Sequence, residues 1–309
     1  MEGIYFLILA FLTAISSIKL STYGDSLSKN TKLGSVFIGG LLIASITSLP
    51  EFVTSISAVV IDNPSLSFGD ILGSNMFNIF ILSVYNLILF KRSVFKNTSS
   101  KFIFECLILL FEYIIILIAT YFTKVDICTL LLFMMYGVYL IKVMKDKNEE
   151  STEKSNIKYP LIKFIVCSIV LVILSILLTL SADRITHLYP NISSSTVGAI
   201  LLGITTSLPE VVSTLTLIQI NNNNMAISNI LGSNIFNFLV LALSDIFVKN
   251  TDIYHYSNKY IYMYLYGGIF ITLLLMLSIF KKFKNKKISV FISLIMSLSY
   301  LLVWYFQFK

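Results

Sequence analysis

The sequence predicts an all-α polytopic membrane protein, with ten transmembrane helices arranged as two inverted five-helix repeats. Three observations carry that expectation. The composition is that of a chain committed to lipid. Apolar stretches long enough to cross a bilayer recur ten times. A block of the first half returns 159 residues later, after an odd number of spans.

Of the 309 residues, 56% are hydrophobic and only 13% are charged, and the mean hydropathy is +0.85. A soluble domain carries about 25% charged residues, so the lipid bilayer is the expected solvent. The net charge of +7 does not point to nucleic acid, because the lysines sit in short loops beside apolar spans. Positive loops of that kind are topology signals. Cys106, Cys128 and Cys167 form no CxxC pair and lie in or beside apolar runs, which suits core residues. Neither histidine belongs to a zinc-type motif. No cofactor is expected. The first span lacks a basic region before it and a small-residue cleavage site after it, and reads as a retained helix.

A helix needs about 20 mostly apolar residues to cross the hydrocarbon. The candidates run approximately 3–21, 34–61, 66–90, 102–123, 126–144, 159–182, 194–220, 225–248, 259–280 and 287–307. Sheets are excluded, since an open strand edge is not satisfied in lipid. With the N-terminus outside, 18 of the 23 lysines and arginines fall on the inner side. The outer five are Lys124, Arg184, Lys249, Lys259 and Lys309. The positive-inside rule therefore places both termini outside a cell membrane. The stretch "DKNEESTEKSNIK", residues 146–158, is too short for a folded domain. It reads as a cytoplasmic linker between a first repeat, 1–145, and a second, 159–309.

Sliding the chain by 159 residues lays Glu51 on Glu210, Gly73 on Gly232, Ser74 on Ser233, Asn75 on Asn234, Phe77 on Phe236 and Asn78 on Asn237, with no gap from 39 to 81. An internal repeat of this kind governs the fold. Five spans is an odd number, so the second copy enters from the opposite face. Such inverted repeats build many transporters, with the substrate site near the midplane and interrupted helices marking it.

The interruptions are Pro50 and Pro209, in "SITSLPEFVTS" and "ITTSLPEVVST". Proline lacks an N–H and clashes with the carbonyl four residues back, which loosens the carbonyls of Ile46 and Thr205. A polar group loosened in lipid needs a partner, and a cation is one. Thr47 and Ser48 add hydroxyls and Glu51 a carboxylate; Thr206, Ser207 and Glu210 mirror them. Facing one another around the axis, the two sets would form an all-oxygen pocket with two negative charges. Such a pocket suits hard cations. Calcium takes about 6–8 oxygens, sodium also accepts oxygen ligands, and the absence of thiolate or imidazole disfavours zinc, copper and iron. "GDILGSNMFN" and "SNILGSNIFN" put Ser74 with Asn78, and Ser233 with Asn237, four apart on one helix face. Gly73 and Gly232 would permit close backbone approach.

A lone hydroxyl or amide in a span is more often an interhelical hydrogen bond, and a lone proline a kink. A carboxylate costs on the order of 3 kcal/mol at the bilayer centre and usually marks a pathway. Two of them in duplicated motifs outweigh the bland reading. Asp70 reads as a helix N-cap, Asp245 as interfacial, and Glu105 and Glu112 as lysine-paired or water-facing.

The paired Thr-Ser-Leu-Pro-Glu and Gly-Ser-Asn-x-Phe-Asn motifs resemble the alpha-1 and alpha-2 repeats of the sodium/calcium exchangers, over the whole chain and in the short prokaryotic form. The resemblance implies that Glu51 and Glu210 are central calcium ligands also used by sodium. It implies that Thr47 and Thr206 add oxygens to the same ions. Ser48, Ser207, Ser74 and Ser233 would line flanking sodium sites, with Asn78 and Asn237 beside the central one. The first and sixth spans would slide across the rest. Asn237 stands where prokaryotic exchangers of this type often carry aspartate, which argues against proton coupling at that position and against potassium dependence.

The leading expectation is a secondary antiporter, not an enzyme, that exchanges sodium for calcium by alternating access and functions as a monomer. Proton/calcium exchange is the alternative in the same class. An intramembrane enzyme would need a nucleophile–base pair or metal-binding histidines, and a channel would more often be a symmetric oligomeric ring.

Overall fold

The computed structural model describes residues 2–89, 94–95, 98–121, 126–146, 154–188, 204–249, 251–280 and 285–307. Its elements are helical: α1 (Glu2–Asn30), α2 (Ser35–Thr47), α3 (Leu49–Val60), α4 (Pro64–Ile88), α5 (Ile103–Ala119), α6 (Asp126–Met144), α7 (Pro160–Leu188), α8 (Leu208–Gln219), α9 (Asn223–Phe247), α10 (Lys259–Ile279) and α11 (Lys286–Gln307). Among the described residues there is no strand. Eight of these helices are long and apolar enough to span a membrane, and α2 and α3 pass that test only together, bent by 42° at their break. The span expected at 194–220 is described only from 204 onward, and most of the linker likewise lies outside the described residues.

α1 runs nine residues past its expected end. Hydropathy alone stops at the polar stretch after Leu20. The structure continues because those polar groups find protein partners. Asp25 takes Lys29 at 2.8 Å and the Asn222 amide at 2.7 Å. Ser21 donates to the Ser213 carbonyl at 3.3 Å.

The chain forms two compact units, residues 1–50 with 140–233, and residues 51–139 with 234–309. In the first, α1 packs along α7 and α8, and α2 lies against all three. α2 contains a π-helical stretch, Ile38–Ile43. There Gly39 and Gly40 meet the start of α9 at backbone contact. A Cβ on Gly232 would stand 2.0 Å from the Gly40 carbonyl oxygen, and one on Gly39 2.5 Å from that of Met225. The Ser228 hydroxyl donates to the Val36 carbonyl at 3.0 Å. Asp146 secures the start of α2, accepting the Val36 N–H on its carboxylate at 3.0 Å.

In the second unit, α4 packs on α10 and α11, and α10 also packs on α5. Aromatic pairs fill the spaces: Tyr113 meets Phe238 edge-on at 4.8 Å, and Phe80 stacks on Tyr300 at 4.5 Å. Gly268 gives the Tyr113 ring its place, since a Cβ there would lie 2.4 Å from it.

The 159-residue offset survives in the backbone. Asp62 and Asn221 are both left-handed, at φ 65° and 62°. The N–H of Asn63 returns to Ala58 at 2.8 Å, and that of Asn222 to Leu217 at 2.9 Å. These six-to-one bonds close α3 and α8 in the same way, with the helix-terminating geometry that a left-handed residue permits.

Candidate functional site

Both Thr-Ser-Leu-Pro-Glu motifs break the helix at the serine. Ser48 has φ −89° and ψ 6°, Ser207 φ −79° and ψ 1°. The helix restarts at Leu49 and at Leu208. Each proline is then the second helical residue, where its missing N–H is no loss. Glu51 and Glu210 consequently fall in the first turn of a new helix. There the unsatisfied N–H groups and the helix dipole favour a carboxylate. Sequence reasoning assigned the prolines to loosened carbonyls and missed this second effect.

All ten residues singled out in the sequence are described and buried: Thr47, Ser48, Thr206, Ser207, Glu210, Ser233, Asn237, Glu51, Asn78 and Ser74 are at most 2% exposed. Six of them belong to the first unit. Ser48 donates its hydroxyl to Oε1 of Glu210 at 2.8 Å, while Oε2 has no hydrogen-bond partner among the described residues. The Ala44 carbonyl gathers three donors: the Ser48 N–H at 3.0 Å, Thr47 Oγ1 at 3.2 Å and Ser233 Oγ at 3.5 Å. Hydroxyls and a carboxylate from sequence positions far apart thus share one buried cluster.

The second unit holds Glu51, Ser74, Asn78 and Asn237. Here α4 and the latter half of α9 are joined by four amide hydrogen bonds that exchange under the 159-residue offset. Asn75 Nδ2 donates to the Asn234 carbonyl at 3.2 Å, and Asn234 Nδ2 to the Asn75 carbonyl at 3.0 Å. Asn78 Nδ2 donates to Asn234 Oδ1 at 2.9 Å, and Asn237 Nδ2 to Asn75 Oδ1 at 3.0 Å. Bonds between helices in a membrane average about 0.6 kcal/mol each, so the set contributes on the order of 2 kcal/mol. Asn75 and Asn234 escaped the sequence reading as site residues. The available signal was their identity in both copies, three residues before Asn78 and Asn237 and so on the same helix face.

Three sequence expectations are corrected. Asp70 is not a cap: α4 begins at Pro64, and Asp70 is buried one and a half turns in, beside Ser55. Its counterpart Asn229 donates to Thr214 at 3.1 Å. Glu105 and Glu112 do not face water; they are 1% and 0% exposed. Gly73 permits no backbone approach, since a Cβ there would meet only the Tyr264 ring at 3.8 Å. Asp245, at the end of α9, accepts the Thr129 hydroxyl and, at 2.7 Å, the Ile253 N–H, which fits an interfacial place.

A bundle of apolar spans with carboxylates buried at helix breaks is the architecture of a multi-pass membrane transporter. The sequence profile of the sodium/calcium exchanger proteins matches residues 2–145 and 159–309, and the chain belongs to that family. It is a cation/calcium exchanger by family, not an enzyme, and the family's cargo is sodium and calcium with no cofactor. Among curated relatives, it is 28% identical over 234 residues to the uncharacterised membrane protein MJ0091 of Methanocaldococcus jannaschii, covering 75% of this chain and 76% of that one. It is 26% identical over 279 residues to the inner membrane protein YrbG of Escherichia coli, covering 85% of each. The fold is that of the sodium-calcium exchanger NCX_Mj soaked with 10 mM Na+ and no Ca2+, at TM-score 0.77, 22% identity and 97% coverage of both chains. NCX_Mj soaked with 2.5 mM Na+ and 0.1 mM Ca2+ is likewise similar, at TM-score 0.77 and 20% identity, covering 98% of this chain and 97% of that one.

Proposed function

We propose that this chain is a secondary antiporter in which sodium entering down its gradient drives calcium out by alternating access. The ligands are Glu51, Glu210, Thr47, Thr206, Ser48, Ser207, Ser74, Ser233, Asn78 and Asn237, and the two ions compete for them. Family membership supports the cargo. The carrying observation is the duplicated break that buries a glutamate in the first turn of α3 and again of α8. All of these donors are oxygens, the set that calcium and sodium accept. A loaded protein can cross between states, whereas an empty one with buried negative charge resists doing so, and exchange without leak follows.

In this reading the chain has ten spans in two inverted repeats, 1–145 and 159–309, joined by a cytoplasmic linker at 146–158. Both termini are outside the cell membrane, as the lysine distribution supports. The monomer is the working unit, because the symmetry lies within one chain.

The test is radiolabelled calcium uptake into sodium-loaded proteoliposomes in sodium-free medium, beside vesicles carrying only a pH gradient. Uptake that requires internal sodium and vanishes in Glu51→Gln and in Glu210→Gln supports the proposal. Uptake driven by protons alone replaces the coupling ion. Unchanged flux in both variants sinks the ligand assignment.

A further inference from the structure

An asparagine carries an acceptor and a donor that a half-turn of the amide exchanges, and only one of them can bind a cation. In the second unit the hydrogen bonds decide which end points where. Asn75 meets the main-chain carbonyl of Asn234 at 3.2 Å. A carbonyl only accepts, so Asn75 must present its NH2 there. Its Oδ1 is then the atom that faces Asn237, at 3.0 Å. That oxygen also only accepts, so Asn237 turns its NH2 inward and its own Oδ1 away. The mirrored chain runs from the Asn75 carbonyl through Asn234, at 3.0 Å, to Asn78, at 2.9 Å. Both leftover oxygens, Oδ1 of Asn78 and Oδ1 of Asn237, are buried without a hydrogen-bond partner among the described residues. A buried orphan acceptor is costly, and a hard cation satisfies it.

We propose that Asn75 and Asn234 are positioning residues that lock the amides of Asn237 and Asn78, so that each turns its oxygen and not its NH2 toward the transported cation. This rests on the cation reading of Asn78 and Asn237 given above. An unlocked amide would spend part of its time with its NH2 toward the ion, which repels it. The pairing is specific: Asn75 serves Asn237, and Asn234 serves Asn78. Each lock is anchored on a main-chain carbonyl, so removing one side chain leaves the other lock in place.

The experiment measures radiolabelled calcium binding to the purified full chain in a double-variant cycle. Asn75→Leu keeps the size and removes both polar ends. It should weaken binding about tenfold, the effect of one lost hydrogen bond. In an Asn237→Ala background it should add almost nothing, because no amide is left to orient. In an Asn78→Ala background its full effect should persist. Asn234→Leu should show the reverse dependence. Equal effects in both backgrounds would mean general packing loss and would overturn the lock. If Asn75→Leu does not fold, Asn75→Ala supplies the same comparison.

A second readout needs no ion. In protein labelled with 15N-asparagine, the side-chain resonance of Asn237 is assigned by its loss in Asn237→Ala. Asn75→Leu should move that resonance and leave the Asn78 amide in place; an unmoved Asn237 amide overturns the lock. If the wild-type protein binds neither calcium nor sodium, the cation's part falls together with the functional reading. The resonance shift then decides the lock by itself.

Discussion

Ser48 donates its hydroxyl to the Glu210 carboxylate across 2.8 Å, although 162 residues separate the two in sequence. The serine of one Thr-Ser-Leu-Pro-Glu motif therefore holds the glutamate of the other. A hydrogen bond to a charged group contributes about 1.5–3 kcal/mol. Ser48→Ala should raise the calcium concentration for half-maximal flux by about tenfold and leave the amount of folded protein unchanged. Flux titrations in proteoliposomes read this directly. An unchanged half-saturation would mean that the bond plays no part in calcium binding.

Gly73 and Gly232 are identical in the repeat but differ in their surroundings. A Cβ at 232 meets the Gly40 carbonyl oxygen at 2.0 Å, while one at 73 meets the Tyr264 ring at an ordinary 3.8 Å. Gly232→Ala should cost about 1–3 kcal/mol through overpacking, whereas Gly73→Ala should be tolerated. Thermal unfolding in detergent of the two variants side by side separates them, and equal losses would contradict the packing described.

Pro50 and Pro209 each stand second in a restarted helix. Alanine there restores an N–H and lets the upstream helix run on through Ser48 or Ser207. Pro50→Ala and Pro209→Ala should each lower calcium flux severalfold without unfolding the protein, because the glutamate loses its place in a first turn. Normal flux from both variants would show that the serine conformation holds the break without proline.

Asp62 and Asn221 occupy the left-handed region, which glycine adopts at least cost. Asp62→Gly should be neutral or stabilising, whereas Asp62→Ala should destabilise by on the order of 1 kcal/mol. Unfolding midpoints for the two variants check the pattern.

The helical class, most of the spans and all ten buried candidate residues were legible in the sequence. Hydropathy reports lipid directly, and a carboxylate beside a proline in an apolar run is too costly in a bilayer to stand there without a task. The rest depends on which atoms meet. Two identical glycines cannot reveal that only one of them touches a backbone. Nor can four asparagines reveal which pair bonds main-chain carbonyls and which presents free oxygens. The polar continuation of α1 was hidden for the same reason: Asp25 and Ser21 are stable inside only because Asn222 and the Ser213 carbonyl lie opposite.

The π-helical stretch at Ile38–Ile43 holds about one residue more per turn than an α-helix would. α2 thus carries an insertion that was never looped out. It is absorbed by widening the helix where Gly39 and Gly40 lie against α9. Deleting one residue there would heal the turn and leave its flanks in phase, whereas a deletion from the regular helix on either side would rotate everything before it by about 100° relative to Thr47. The bulge therefore holds one more residue without turning the segment that enters the break, and a change of length outside it would be felt at Thr47 and Ser48 although neither had been substituted.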